Sequence, residues 1–547
     1  MNTSPCTNLA GRLTEAFPTA GQIPAECRLD TRSYERLYLI NGELREWTGP
    51  LAEISSPICL RDGGALRRPV IGRVPAMDEA TALAALEAAA RAWDDGRGHW
   101  PTLTVSARIE AVEAFVVRML AVRDEVVKLL MWEIGKSLDD SRKEFDRTVD
   151  YIRKTMEALK DIDRSGSRFS LDGGVIAQVR RSPLGIVLSM GPFNYPLNEI
   201  YTTLIPALIM GNTLVVKTPK FGRLLHQPLL RAFAESFPPG VVNFLSGSGS
   251  EIIGPIMKSG RINALAFIGS SRVADILKHQ HPQPHRMRCI LGLDAKNPAL
   301  VLPDADLDAA VKECVTGSLG FNGQRCTALK ILFLHESIAP AFLDKFCAAV
   351  NALPFGMPWD KDVKLTPLPE FDKASTLNAY VENAAAAGAK VINAGGGTQV
   401  ETLYFPAVVY PVAPKTDLYH KEQFGPVVPV CSYRDEREFL DYVVRSNFGQ
   451  QVSLFGRDHE RVARLIAPLA NQVCRINLNC QCQRGPDTLP FTGRKDSAEA
   501  TLSISDALKC FSIRSLVAAQ STPDNRQLIQ DIVSGRHSSF LHTDYLL

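Results

Sequence analysis

The sequence predicts an α/β protein made of two α/β layers with a small β arm. Three observations carry that expectation. A chain of 547 residues is too long for one ordinary core, and its length suggests roughly three domains. Apolar residues make up 45% and charged residues 22%, the balance of a folded globular protein and not of a disordered or fibrous one. From Pro183 to about Leu334, and again after Pro303, short apolar runs alternate with helical stretches, the signature of parallel sheets with crossover helices.

The elements follow in order. The first forty residues carry scattered Pro and Thr and read as a surface arm. Apolar residues at three- and four-residue spacing predict amphipathic helices over 77–95, 104–135 and 139–159. Residues 166–182 switch to short alternating stretches around Gly173-Gly174, which predicts a β-hairpin. Runs at 185–190, 213–216, 241–245 and Ala264–Ile268 predict the strands of the first sheet, and runs at 331–334, 391–393 and 427–430 those of the second. There is no internal repeat, and nothing of low complexity beyond an alanine run over 383–388.

Several function classes are disfavoured. A formal charge of +2 argues against nucleic acid as the main partner, because phosphate-backbone binding needs an excess of Lys and Arg on one face. No basic start followed by an apolar stretch marks a secretory signal. The most apolar segment, 204–216, is broken by Pro206, Gly211 and Asn212 and reads as buried core, not as a membrane span. Twelve cysteines without regular spacing do not make a disulfide framework, so a reducing cytoplasm is the expected location. Cys480 and Cys482 are too close for a zinc knuckle and have no partner pair, so no metal is expected.

One cysteine stands out. Cys326 follows a glycine-bearing loop, Gly320-Phe-Asn-Gly-Gln-Arg-Cys-Thr, that interrupts a helical pattern. A thiolate is the strongest common side-chain nucleophile, and a helix N-terminus or an adjacent cation, here Arg325, lowers its pKa. A cysteine beside an arginine is by itself as readily a packing residue. Its company decides.

Gly191-Pro-Phe-Asn-Tyr-Pro, Gly211-Asn-Thr-Leu-Val-Val-Lys, Phe267-Ile-Gly-Ser-Ser, Gly323-Gln-Arg-Cys-Thr and Glu422-Gln-Phe-Gly-Pro-Val occur in that order. They resemble the ordered motifs of the aldehyde dehydrogenase superfamily, from about Asn41 to Val517. The resemblance implies two Rossmann-like α/β domains, cofactor-binding over 41–165 and 183–302 and catalytic over 303–490. An oligomerisation arm is implied over 166–182 and 505–519, with a C-terminal extension over 520–547, and hence a homodimer or homotetramer. It implies Cys326 as nucleophile, with Asn194 and the Cys326 backbone N–H as oxyanion donors. An amide N–H suits that task because it steadies the alkoxide without being consumed.

The usual Gly-x-Gly-x-x-Gly dinucleotide fingerprint is absent. The resemblance implies instead that Ser270, capping a helix, faces the cofactor pyrophosphate. Lys217 would meet the adenosine ribose, and Glu422, beside Phe424, the nicotinamide ribose. Gly247-Ser-Gly-Ser would line the adenine side, although a plain βα turn explains it nearly as well. Lys220 stands where NAD-preferring relatives commonly carry a glutamate, so the expected cofactor is NADP.

Gly-Gln-Arg-Cys-Thr-Ala and Pro-Phe-Asn-Tyr-Pro are most similar to non-phosphorylating glyceraldehyde-3-phosphate dehydrogenases. That resemblance places Arg147, Tyr195, Arg325 and Arg484 around a substrate phosphate, which the planar guanidinium fork suits. The expected reaction is NADP-dependent oxidation of glyceraldehyde 3-phosphate to 3-phosphoglycerate. One position departs from the pattern: Gly292-Leu-Asp-Ala-Lys stands where the superfamily carries Glu-Leu-Gly-Gly-Lys with its general base. Three readings stay open. Asp294 or Glu422 acts as base, the thioester passes to coenzyme A as in an acylating enzyme, or the chain is a catalytically impaired homologue.

Overall fold

The computed structural model describes residues 9–544. Its site is framed by two parallel sheets. A long helix α1 (Leu138–Gly166) leads in, its first turn capped by the Ser137 hydroxyl, which accepts from the Asp140 N–H at 3.2 Å. Strand β1 (Ile186–Met190) follows, then helix α2 (Asn198–Ile209), β2 (Thr213–Lys217), β3 (Val242–Leu245), β4 (Ala264–Ile268), helix α3 (Ser271–Gln280) and β5 (Arg288–Gly292). These strands pair in parallel in the order β3-β2-β1-β4-β5, with a short antiparallel strand, Ala498–Glu499, on the edge of β5. Helices cover the sheet, and β1 is buried along its whole length, as a parallel strand covered on both faces must be.

The second sheet begins at β6 (Pro298–Val301), ahead of Pro303, where the sequence pattern starts. Helix α4 (Leu307–Leu319), β7 (Ile331–His335), β8 (Ala407–Tyr410), β9 (Val427–Tyr433), β10 (Gln451–Phe455) and β11 (Arg475–Leu478) complete it. The order is β8-β9-β7-β6-β10-β11, all parallel, with Lys390–Val391 antiparallel on the β8 edge. The apolar run at 391–393 thus supplies a two-residue edge piece only. Pro298 opens its strand, where a missing N–H costs no ladder bond.

The expected hairpin forms as Phe169–Asp172 and Val175–Pro183, with Gly173 and Gly174 both at positive φ, as the tight turn requires. Ser512–Gln520 joins it antiparallel, making a three-stranded arm. Beyond that arm a helix, Pro523–Ser534, turns the chain back, and Leu541 is buried at its base. The His542 carbonyl accepts from Gln178 Nε2 at 2.7 Å and from Arg180 Nη1 at 3.1 Å.

Two expectations need correction. The stretch expected as a helix over 104–135 is two helices, Val105–Ala121 and Arg123–Ile134, because Val122 leaves helical geometry at φ −108° and ψ 15°. The described part of the N-terminal arm does not lie loose on the surface. Leu9–Ala16 is a helix whose Leu9 and Leu13, with Phe17, are buried against Ile58, Trp132, Met357 and Phe405. Among the described residues no helix is long and apolar enough to cross a membrane.

Candidate active site

The first sheet reverses its strand order between β1 and β4, and ligands of open α/β sheets sit outside the carboxyl ends at such a point. The Pro192–Pro196 stretch leaves β1 there, and Gly269 and Ser270 leave β4. Between these loops and the segment before β7 lies a cavity of about 540 Å³. Cys326, Asn194, Arg147, Tyr195, Arg325, Arg484, Ser270, Glu422 and Phe424 all line it, as does Gly292. Lys217 and Lys220 do not.

The loop that presents Cys326 is held in a conformation few side chains accept. Phe321, Asn322 and Gly323 have φ of 51°, 55° and 71°, left-handed geometry that costs non-glycine residues roughly 1–3 kcal/mol each. At Gly323 a Cβ would meet the Ser318 and Gly425 carbonyls at 2.7 and 2.8 Å, so only glycine fits. Asn322 is clamped in both directions by Thr366, donating to its carbonyl and accepting from its N–H, each at 3.1 Å.

Cys326 is half-buried, and burial pushes its thiol up to about 11; Glu199 adds to the rise, while Lys330 and Arg484 oppose it. This corrects the expectation of a thiol acidified by Arg325. The Arg325 guanidinium turns onto the Thr316 and Gly317 carbonyls at 2.9 and 2.8 Å, the exposed carboxyl end of α4, and is not among the groups acting on the thiol.

Asn194 is buried, and its Nδ2 donates to the Gln324 carbonyl at 2.7 Å. A carboxamide has two N–H groups, so this bond fixes the side chain and leaves one donor for an oxyanion. The Asn194 carbonyl accepts from Lys136 Nζ at 2.7 Å. Lys136 is fully buried, paired with Glu144 of α1, and its ammonium stands 3.6 Å from the Tyr195 ring centroid and 4.5 Å from that of Phe321. Glu144 in turn accepts from the N–H groups of Leu197 and Asn198, capping α2. One cation therefore ties together the Asn194 loop, the Cys326 loop and two helices. Sequence reasoning missed Lys136 and Glu144; the one local signal was Glu144 a turn before Arg147 on α1.

On the substrate side the expected arginines converge, but with carboxylates that the sequence reading did not supply. Arg147 forks onto Asp487 at 3.0 and 2.7 Å. Arg484 pairs with Glu199 of α2 and, at 3.4 Å, with Asp487. Burial works against the charge on Asp487, yet Arg147 and Arg484 hold its carboxyl below the usual range. Arg484 Nη2 is buried without a partner, and no described residue bonds the Tyr195 hydroxyl. Both are donors left over for a ligand.

The cofactor side differs. Ser270 occupies the N-cap position of α3 but its side chain makes no cap bond. Asp294 does that work instead: its Oδ2 accepts from the Ser271 N–H and hydroxyl, each at 2.7 Å. Glu422 pairs with buried Lys330 and accepts from the Ala295 N–H at 3.3 Å; burial raises its pKa, against the pull of Lys330. Phe424 packs its ring against Phe193 at 5.7 Å. Lys217 ends β2 with no acceptor among the described residues, and burial with nearby Arg223 lowers its pKa to about 8. That orphaned donor at the carboxyl end of a strand fits a dinucleotide ribose or its phosphate. Lys220 is exposed in the next loop, 5.1 Å over the Phe221 ring. Gly247 to Ser250 form the turn into a helix whose first residues are Gly249 and Ser250.

Comparisons agree with this geometry. A sequence model described as the aldehyde dehydrogenase family matches residues 65–516. An NADP-dependent glyceraldehyde-3-phosphate dehydrogenase of Streptococcus equinus is 31% identical over 460 residues, 83% of this chain and 92% of that protein. A structure of the NADP-dependent glyceraldehyde-3-phosphate dehydrogenase from Bacillus halodurans C-125, complexed with NADP, superposes with a TM-score of 0.81 at 27% identity, covering 89% of this chain and 100% of that one. A succinate-semialdehyde dehydrogenase from Burkholderia pseudomallei superposes with a TM-score of 0.80 at 25% identity, covering 90% and 99%. The chain belongs to the aldehyde dehydrogenase family, whose members are oxidoreductases acting on aldehydes.

Proposed function

We propose that this protein oxidises glyceraldehyde 3-phosphate to 3-phosphoglycerate with NADP, through a thioester on Cys326. The observation that carries the reading is one cavity lined by a half-buried thiol, an oriented carboxamide, three arginines and a tyrosine with an unbonded hydroxyl. The Cys326 sulfur adds to the aldehyde carbon, and the spare Asn194 N–H and the Cys326 backbone N–H steady the resulting alkoxide. NADP, when bound, takes up the hydride. Arg484 and Tyr195 orient the phosphate with donors that the protein leaves unpaired, and Arg147 and Arg325 add charge. Lys217 and Lys220 hold the adenosine end, and a 2′-phosphate beside two ammonium groups is favoured over a bare ribose. The exposed apolar residues of the β arm, Leu171, Ile513 and Val517 on one face and Leu516 on the other, support self-association as a homodimer or homotetramer.

NADPH formation tests the reading. Glyceraldehyde 3-phosphate should be turned over at least tenfold better, by kcat/KM, than glyceraldehyde, and Cys326→Ala should abolish turnover with both. Equal use of the two aldehydes refutes the phosphate site. Lys220→Glu should shift preference toward NAD by about tenfold, the kinetic size of ~1.4 kcal/mol. Gly292 favours a second reading, transfer of the acyl group to coenzyme A; turnover that requires coenzyme A would establish it.

A further inference from the structure

The glycine at 292 leaves the hydrolytic half of this reaction without a proton acceptor at the expected place. Four other carboxylates line the cavity. Asp294, on the cofactor side, caps α3 through Oδ2 alone, which takes both 2.7 Å bonds from Ser271 and leaves Oδ1 unbonded among the described residues. Glu422, also on the cofactor side, takes both Lys330 and the Ala295 N–H on Oε1 and leaves Oε2 likewise unbonded. Glu370 pairs with Lys373 at 3.5 Å and is not among the groups acting on the Cys326 thiol. Glu199 remains. It stands in the first turn of α2, it is 7% exposed, and it is the carboxylate that most strongly affects Cys326. Its Oε2 is fixed by Arg484, whereas Oε1 has only a 3.5 Å contact with Asn198 Nδ2. One oxygen anchors the side chain and the other has lone pairs to spare.

We propose that Glu199 takes the place of the missing glutamate and accepts the proton from the water that hydrolyses the Cys326 thioester. The inference rests on the reaction proposed above. Water oxygen bonds to the thioester carbon while its proton passes to Glu199 Oε1. The tetrahedral intermediate then collapses, the carbon–sulfur bond breaks, and the thiolate leaves with its electron pair. Glu199 returns the proton to the sulfur, and the released acid gives its remaining proton to solvent and leaves as its carboxylate. No electron transfer is needed, because the hydride has already gone to the dinucleotide. The Arg484 pairing resembles the third member of a triad: it orients the acceptor without receiving the proton.

Rapid mixing with excess NADP and glyceraldehyde 3-phosphate, without coenzyme A, separates the two halves. Glu199→Gln should keep the first-turnover burst of NADPH while the steady rate falls about a hundredfold, the usual contribution of a positioned base. Adding Gly292→Glu to Glu199→Gln should restore the steady rate at least tenfold. A Cβ at Gly292 meets nothing closer than Ile268 Cγ1 at 3.4 Å, so the longer side chain has room to start. A steady rate unchanged in Glu199→Gln overturns the role, as does loss of its burst, which would mark Glu199 as mere support for Arg484. Failure of the second substitution to raise the rate also overturns it. Absence of a burst in the unaltered enzyme overturns the reaction itself, a failure distinct from these.

Discussion

The two walls of the Cys326 cavity use carboxylates in opposite ways. On the cofactor wall Asp294 is bonded to the backbone and hydroxyl of Ser271, and Glu422 to a buried lysine and a backbone N–H. Ser271 opens α3, and Lys330 and Ala295 lie in the short stretches just before β7 and just after β5. On the substrate wall Asp487 and Glu199 face the forks of Arg147 and Arg484, long side chains whose charge-assisted bonds a ligand oxygen can copy. The difference teaches that an acid held by a backbone N–H or a buried lysine is scaffolding, whereas an acid held by a guanidinium fork leaves further donors for a ligand. A substrate anion can join the guanidinium pairs through the free Arg484 Nη2 without displacing Glu199.

Stability should show the contrast most strongly. Asp487→Ala leaves buried Arg484 and half-buried Arg147 short of a partner and should cost ~2–3 kcal/mol in denaturant unfolding, whereas Asp294→Ala removes only a helix cap and should cost ~1 kcal/mol. Equal losses would erase the distinction between the walls. Next comes the thiol lying between them. Only the thiolate reacts, and with the Cys326 pKa raised to about 11 few molecules carry it near neutrality. Alkylation of Cys326 by iodoacetamide in the free protein should therefore climb about tenfold per pH unit, roughly a hundredfold from about pH 7 to about pH 9. Glu199→Gln should speed alkylation at neutral pH by removing the anion that raises the thiol, and Lys330→Met should slow it. A rate already flat at pH 7 would show the balance misjudged. The smallest effect concerns the cofactor. Asp294→Asn removes a negative charge from the helix end where the pyrophosphate is expected, so KM for NADP should fall roughly three- to fivefold, the size of ~0.6–1 kcal/mol.

The difference between the walls also explains what the sequence made legible. Cys326, Asn194, Ser270 and Glu422 lie in contiguous motifs: Asn194 and Ser270 follow β1 and β4 at their carboxyl ends, and Cys326 and Glu422 precede β7 and β9. The hairpin was readable because two glycines and an alternating pattern are local signals. The ion pairs were not. Arg484 and Glu199 are 285 residues apart, and Arg147 and Asp487 are 340 apart, so no window contains both charges. Strands β10 and β11 escaped for another reason: Gln451, Ser453 and Asn477 sit at buried positions and bond to one another and to Cys482, which breaks the apolar run that marks a covered strand. Ser270 stood at the right place, but the task expected of it belongs to Asp294, whose reach across from the end of β5 only folding reveals.

The returning tail sets a practical boundary. The stretch matching the family ends at residue 516, yet Gln178, with no exposed surface, and Arg180 both donate to the His542 carbonyl. Trimming the gene to the shared region would strip two interior donors of their acceptor and remove the buried Leu541. Such a shortened enzyme should melt from the arm inward, so the last turn of chain belongs to the folding unit and works as its buckle.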